Sequence, residues 1–118
     1  MTPQQLADCY VALWNETDAD ARRQSIEAFW TPEGRHFVRT REVHGYESLQ
    51  ERVTASHESN VRDNGNVFRA RQDARRVQDV VTFHWEMVPA GGGDVLAVGL
   101  EVLIVDGEGG VVTDYQFV

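Results

Sequence analysis

The sequence predicts an α+β fold in which a curved antiparallel sheet and three N-terminal helices enclose a small pocket. Three observations carry that prediction. Apolar residues recur at helical spacing as far as His57, the period changes to two from Val67 onward, and the later segments are joined by Gly-rich turns. Helices followed by a run of hairpin strands give a segregated α+β architecture, not alternating βαβ units.

Thr2 can cap a first helix with Pro3 in its first turn. Leu6, Tyr10, Leu13 and Trp14 then follow at i, i+4, i+7 and i+8, one apolar face, and Asn15 and Thr17 close the helix. Asp18 caps a second helix, Asp20 favours its dipole, and Ile26, Phe29 and Trp30 form its buried stripe before residues 31–34 end it. Residues 35–43 read as extended. His44 and Gly45 lead into a third helix with Leu49, Val53 and His57 on one face, and residues 60–66 read as a loop. Four strands are expected over 67–76, 80–88, 95–105 and 111–118, with turns at 89–93 and 106–110 and a less marked join near Gln78 and Asp79.

A length of 118 residues suits one domain, 1–118, with a real core, and 42% hydrophobic content argues against disorder. There is no linker, repeat or low-complexity tract. A net charge of −8 excludes a general nucleic-acid binder and docking on anionic lipid. All eleven basic residues are Arg, so Schiff-base chemistry on lysine is excluded. Cys9 is the only cysteine, which rules out an internal disulfide and fits a reducing, cytoplasmic setting; its place in a helical pattern predicts an inert, half-buried thiol. The first residues do not read as a signal peptide, and no apolar stretch is long enough to span a bilayer. No phosphate loop, dinucleotide fingerprint or nucleophile elbow occurs, and no cofactor is expected. The four histidines lack metal-ligand spacing, and His84-Trp85-Glu86 lacks the cysteine pair of a zinc deaminase, so no metal is expected either. Arg69, Arg71 and Arg75 on one strand face read as a solvated or ion-paired sheet edge.

The third strand is the informative one. Leu100, Val102 and Ile104 share one face, while Gly99, Glu101, Leu103 and Val105 share the other, so both faces are apolar apart from Glu101. Antiparallel sheets normally leave one face to water. The helices are therefore expected to cover one face, and a second copy of the chain the outer one, giving a homodimer.

The chain resembles the SnoaL-like members of the nuclear transport factor 2-like (NTF2-like) superfamily. The resemblance is carried in order by residues 10–18, Arg22-Arg23, Trp30, Val43-His44-Gly45, residues 83–88, Gly99-Leu100-Glu101, residues 106–112 and Phe117. It implies a cone-shaped, cystatin-like fold with the sheet wrapped around the helices, a pocket at the wide end, and frequent homodimers. The superfamily includes isomerases, cyclases, epoxide hydrolases, dehydratases and non-catalytic binding proteins, so fold does not settle function. Compared with ketosteroid isomerase, Tyr10 resembles the helix-one tyrosine of the oxyanion hole and Glu101 its protonated acid. The position of the carboxylate base falls near Val38, where no carboxylate stands, so the familiar proton shuttle is not expected.

Glu101 on an apolar face should have a raised pKa and could donate a hydrogen bond to a ligand oxygen; the plainer reading is a structural partner for an arginine or a tyrosine hydroxyl. An even final loop brings Asp114 and Gln116 to the Glu101 face and allows Glu101 and Asp114 to share a proton. The alternative register brings Tyr115 and Phe117 instead. Tyr10, Trp14, Trp30, Phe83 and Trp85 are the aromatic wall candidates, although Trp30 and Phe83 fit a plain core equally well. His57 is the histidine considered as a pocket base, with a structural role the plainer reading; His36 and His44 read as exposed or capping groups. Two functions follow from this pattern. One is a small-molecule binder or enzyme (lyase, isomerase or cyclase) acting on an apolar, oxygen-bearing ligand, with Glu101, Tyr10 and Asp114 as its chemistry. The other is a non-catalytic dimeric module, in which the pocket is filled by the chain's own side chains.

Overall fold

In the computed structural model, which describes residues 1–118, the first helix α1 (Pro3–Asn15) opens on a full capping box. Thr2 Oγ1 accepts from the Gln5 amide, and the Gln5 side chain accepts from the Thr2 amide. Asp18 caps α2 (Ala19–Phe29) by accepting from the Ala21 amide. Trp30, expected inside this helix, instead begins β1 (Trp30–Val38), so its ring packs at the helix–strand junction. The remaining elements are β2 (Arg41–His44), α3 (Gly45–Ser56), a π-helical segment (His57–Asp63), β3 (Asn66–Ala70), β4 (Arg75–Val77), β5 (Val80–Pro89), β6 (Ala97–Val105) and β7 (Val111–Phe117). No helix is long and apolar enough to cross a membrane.

The α+β class is as expected, but the sheet is mixed rather than antiparallel. Its seven strands run β2-β1-β7-β6-β5-β3, with β4 also on β5, and β1 pairs with β7 in parallel. The extended stretch 35–43 is a hairpin, because Arg39 and Thr40 form a tight turn that pairs Val38 with Arg41. The expected strand 67–76 is split into β3 and β4. Asp73 interrupts it by accepting from the His84 amide and meeting His84 Nδ1 at 2.6 Å, while Gln4 of α1 accepts from the Ala74 amide and donates to the Arg71 carbonyl. The expected loop 60–66 continues α3 as the π-helical segment up to Asp63, where Asn64 donates to the Ser59 carbonyl. Cys9, expected half-buried, is exposed. Arg69 and Arg71 both pair with Glu86, the ion-paired edge that their spacing suggested.

The helices cover one face of the curved sheet, and the core lies between. Tyr10, Leu13 and Trp14 of α1 meet Ile26 and Phe29 of α2, Leu49 and Val53 of α3, and the inward residues of the central strands. At about 25 cal/mol per Å² of buried apolar surface, a cluster rich in large aromatics is the main source of stability.

Candidate functional site

Period-two alternation brings a polar group inward from each of three adjacent strands. In the β6–β7 register Glu101 opposes Gln116 and Leu103 opposes Asp114, so Glu101, Asp114 and Gln116 share the inner face. The route differs from the expected even loop. The turn spans five residues, 106–110, and a bulge at Val112 between the pairs Val105–Val111 and Ile104–Thr113 restores the register. On the other side of β7, the parallel pairing sets His36 of β1 beside Asp114 and Val38 beside Gln116. His36, expected to be exposed or capping, is fully buried, because Gly34, His36 and Val38 alternate inward while Arg35 and Phe37 turn outward.

These groups form one network. Tyr10 donates to Asp114 Oδ2 at 2.8 Å, and His36 Nδ1 lies 2.7 Å from the same oxygen. Trp85 Nε1 and Gln116 Nε2 both donate to Glu101 Oε1, at 2.8 and 2.6 Å. Glu101 Oε2 and Asp114 Oδ1 find no donor in the network. Two buried carboxyl groups in one network disfavour joint ionisation, so the pair can hold one proton between them.

Burial, then the charge of Asp114, raises the Glu101 pKa well above the ordinary carboxyl range; burial also lifts Asp114, to about 6. Glu101 is therefore the neutral member and Asp114 the ionised one at neutral pH. Burial lowers His36 to about 4, while Nδ1 stays within hydrogen-bond reach of the Asp114 carboxylate. The network assigns the proton to Nδ1 and leaves Nε2 a buried lone pair without a partner. Tyr10, raised above 10 chiefly by burial and then by Asp114, stays a phenol.

Gly99 positions the Trp85 donor. The two residues face each other across β5 and β6, and a Cβ on Gly99 would fall 2.2 Å from Trp85 Cε2 and Cζ2. Only a glycine lets the indole lie flat on the strand and reach Glu101.

Above this network lies a cavity of about 320 Å³, at the small end of ligand pockets. Tyr10, Trp14, Trp85 and Gln116 line it, together with Phe68, Met87, Arg39, Arg52, Ser56 and Asn60. Glu101 and Asp114 have no exposed surface and lie directly beneath it, bonded to its floor residues. Trp30, Val38, His57 and Phe83 are buried but do not line it. Trp30 and Phe83 pack edge-on against Tyr10, and His57 Nδ1 donates to the Trp14 carbonyl, tying α1 to the end of α3. Sequence reasoning missed His36, Arg39, Arg52 and Asn60. Arg52 stacks over the Trp14 ring at 5.1 Å and donates to Gln116 Oε1 at 3.3 Å.

No protein-family model and no curated protein sequence matches the chain. Solved structures do. A SnoaL-like family protein from Agrobacterium tumefaciens, described as a candidate isomerase, superposes with a TM-score of 0.88 at 23% identity, covering 99% of this chain and 97% of that one. An NTF2-like protein of unknown function from Exiguobacterium gives 0.72 at 18% identity, covering 95% and 96%. A candidate polyketide cyclase from Sinorhizobium meliloti gives 0.72 at 9% identity, covering 98% and 99%. The chain has the SnoaL-like, NTF2-like fold. At these identities the likeness speaks for fold alone.

Proposed function

We propose that this chain is a SnoaL-like protein with a cone-shaped sheet, binding a small, apolar, oxygen-bearing molecule above the Glu101–Asp114 pair, and that it acts as an isomerase, lyase or cyclase by proton transfer. The observation that carries this reading is the buried Glu101–Asp114 pair, one side chain below an aromatic-walled cavity. Tyr10 is the connection, because it lines the cavity and donates to Asp114. A proton leaving the ligand passes to Tyr10 Oη as the phenol proton passes to Asp114 Oδ2. Tyr10 is thus unchanged, which suits a phenol too weakly acidic to persist as tyrosinate.

One observation favours a second reading, binding without turnover. Neither acid is exposed, and the Tyr10 proton is committed to Asp114, so no group in the cavity is a free general acid. β-Tetralone, a neutral ketone with exchangeable α-protons, separates the two. Binding should quench Trp14 and Trp85 fluorescence, and the enzyme reading expects accelerated α-proton exchange in deuterated water that Tyr10→Phe loses. Quenching without exchange supports binding alone. Absence of quenching refutes a neutral ketone as the ligand.

The outer sheet face belongs to the same proposal. Leu100, Val102 and Ile104 point away from the core, beside the exposed Val112, Tyr115 and Phe117. A second copy covering this face would give a homodimer, in a cytoplasmic setting that suits one unpaired cysteine. Sedimentation at micromolar concentration should give twice the chain mass; a monomer would remove this part.

A further inference from the structure

The chain carries nineteen acidic residues against eleven arginines, yet the cavity wall holds two arginines and no acidic side chain. Five of the arginines are neutralised where they stand: Arg23, Arg35, Arg62, Arg69 and Arg71 each pair with a carboxylate. Six form no ion pair, and of these Arg39 and Arg52 line the cavity, with Arg41 two residues beyond Arg39; Arg22, Arg75 and Arg76 lie elsewhere.

Arg52 is held in place without being satisfied. A guanidinium has five donors. Here a single long bond of 3.3 Å reaches Gln116, and Nε is buried with no partner. The stack on Trp14 fixes the plane of the group against the cavity wall. Burial and the neighbouring Arg41 both disfavour its charge. The one formal negative charge nearby is that of the Glu101–Asp114 pair, reached only through Gln116. Two arginines against one buried charge leave the cavity short of an anion.

We infer that the ligand is a monoanion with an apolar body, its carboxylate or equivalent oxyanion held by Arg52 and Arg39 and its apolar part against Trp14, Phe68, Trp85 and Met87. This deepens the binding proposal and rests on it. The planar Arg52 fork suits two parallel bonds to a carboxylate through its terminal Nη atoms, of which one makes only the long bond to Gln116 and the other none. The cavity selects against the anions that are abundant in a cell, because its aromatic half offers inorganic phosphate or chloride nothing to bury.

The test compares two probes of one shape, hydrocinnamate and its neutral amide, hydrocinnamamide, by calorimetric titration of the full chain at low salt. The carboxylate should bind at least about tenfold more tightly, and that preference should shrink as ionic strength rises. Arg52→Gln should remove the preference while the amide still binds. Arg39→Gly should reduce it without a folding defect, since Arg39 is exposed and its φ of 52° is one that glycine adopts freely. Equal binding of both probes overturns the anion inference and leaves the cavity proposal standing. Binding of neither overturns both. A carboxylate preference that survives both substitutions overturns the assignment to Arg52 and Arg39.

Discussion

Replacing Glu101 by Gln should flatten the dependence of stability on pH between 7 and 9. In the native chain burial and the Asp114 charge hold the Glu101 pKa well above normal, whereas in the unfolded chain it ionises near about 4. A raised native pKa stabilises the fold at low pH, and that stability is lost as pH climbs. While the native state binds one more proton, unfolding free energy falls by up to about 1.4 kcal/mol per pH unit, at most about 3 kcal/mol from pH 7 to 9. Asp114, at about 6, has already ionised in both states, and His36, at about 4, is neutral in both. The window therefore isolates Glu101 within the network. Glutamine copies the neutral acid, since its Oε1 can accept from Trp85 and Gln116 while its amide donates to Asp114 Oδ1. Urea unfolding followed by tryptophan fluorescence reads the difference. At about 1–3 kcal/mol per molar urea, the wild-type midpoint should fall as pH rises, and that of Glu101→Gln should hold steady. An equal slope in both proteins would refute the shared proton, because it would place the titrating group elsewhere.

Other consequences of the network are open to the same instruments. Asp114→Asn should fold nearly as well as wild type; Asp114→Leu, which strands the Tyr10 and His36 donors, should cost about 3 kcal/mol in urea unfolding. Tyr10→Phe removes a donor that favours ionised Asp114, so the Asp114 pKa should rise above about 6 in a carbon-detected carboxyl titration. Gly99→Ala should displace Trp85, break its bond to Glu101, and cost about 1–3 kcal/mol, with a shift in tryptophan emission; an unchanged melting temperature would contradict the flat indole geometry.

What was legible in the sequence was local. The Thr2 cap of α1, the Asp18 cap and the alternation in β6 each lie within a few residues, where capping and period-two patterning act. The parallel β1–β7 pair was not legible, because it joins residues about eighty positions apart and leaves no periodic trace. The break between β3 and β4 was hidden for a related reason. It depends on Asp73 and Gln4 satisfying backbone groups of other elements, which no window around 70–75 contains.

The site divides in the same way. Glu101 was visible as the one polar residue on an apolar strand face, and the inward turn of Asp114 and Gln116 was one of two registers the loop allowed, decided by the bulge at Val112. His36 did carry a signal. Gly34, His36 and Val38 alternate with two outward residues, and following that alternation puts the imidazole on the inner face beside Asp114. Arg52 carried a quieter one. It flanks the buried Leu49–Val53 stripe of α3, and the positions three and four residues away are Ser48, Leu49, Ala55 and Ser56, so no acid on its own helix can neutralise it. An arginine set beside a buried stripe without a local counter-charge must find one from elsewhere in the fold or from outside the chain. Here the fold supplies an indole and an amide oxygen, neither of which carries a charge. The missing anion is therefore a property of the helix sequence as much as of the cavity, and it makes Arg52, rather than the buried acids, the residue that decides which molecules can enter.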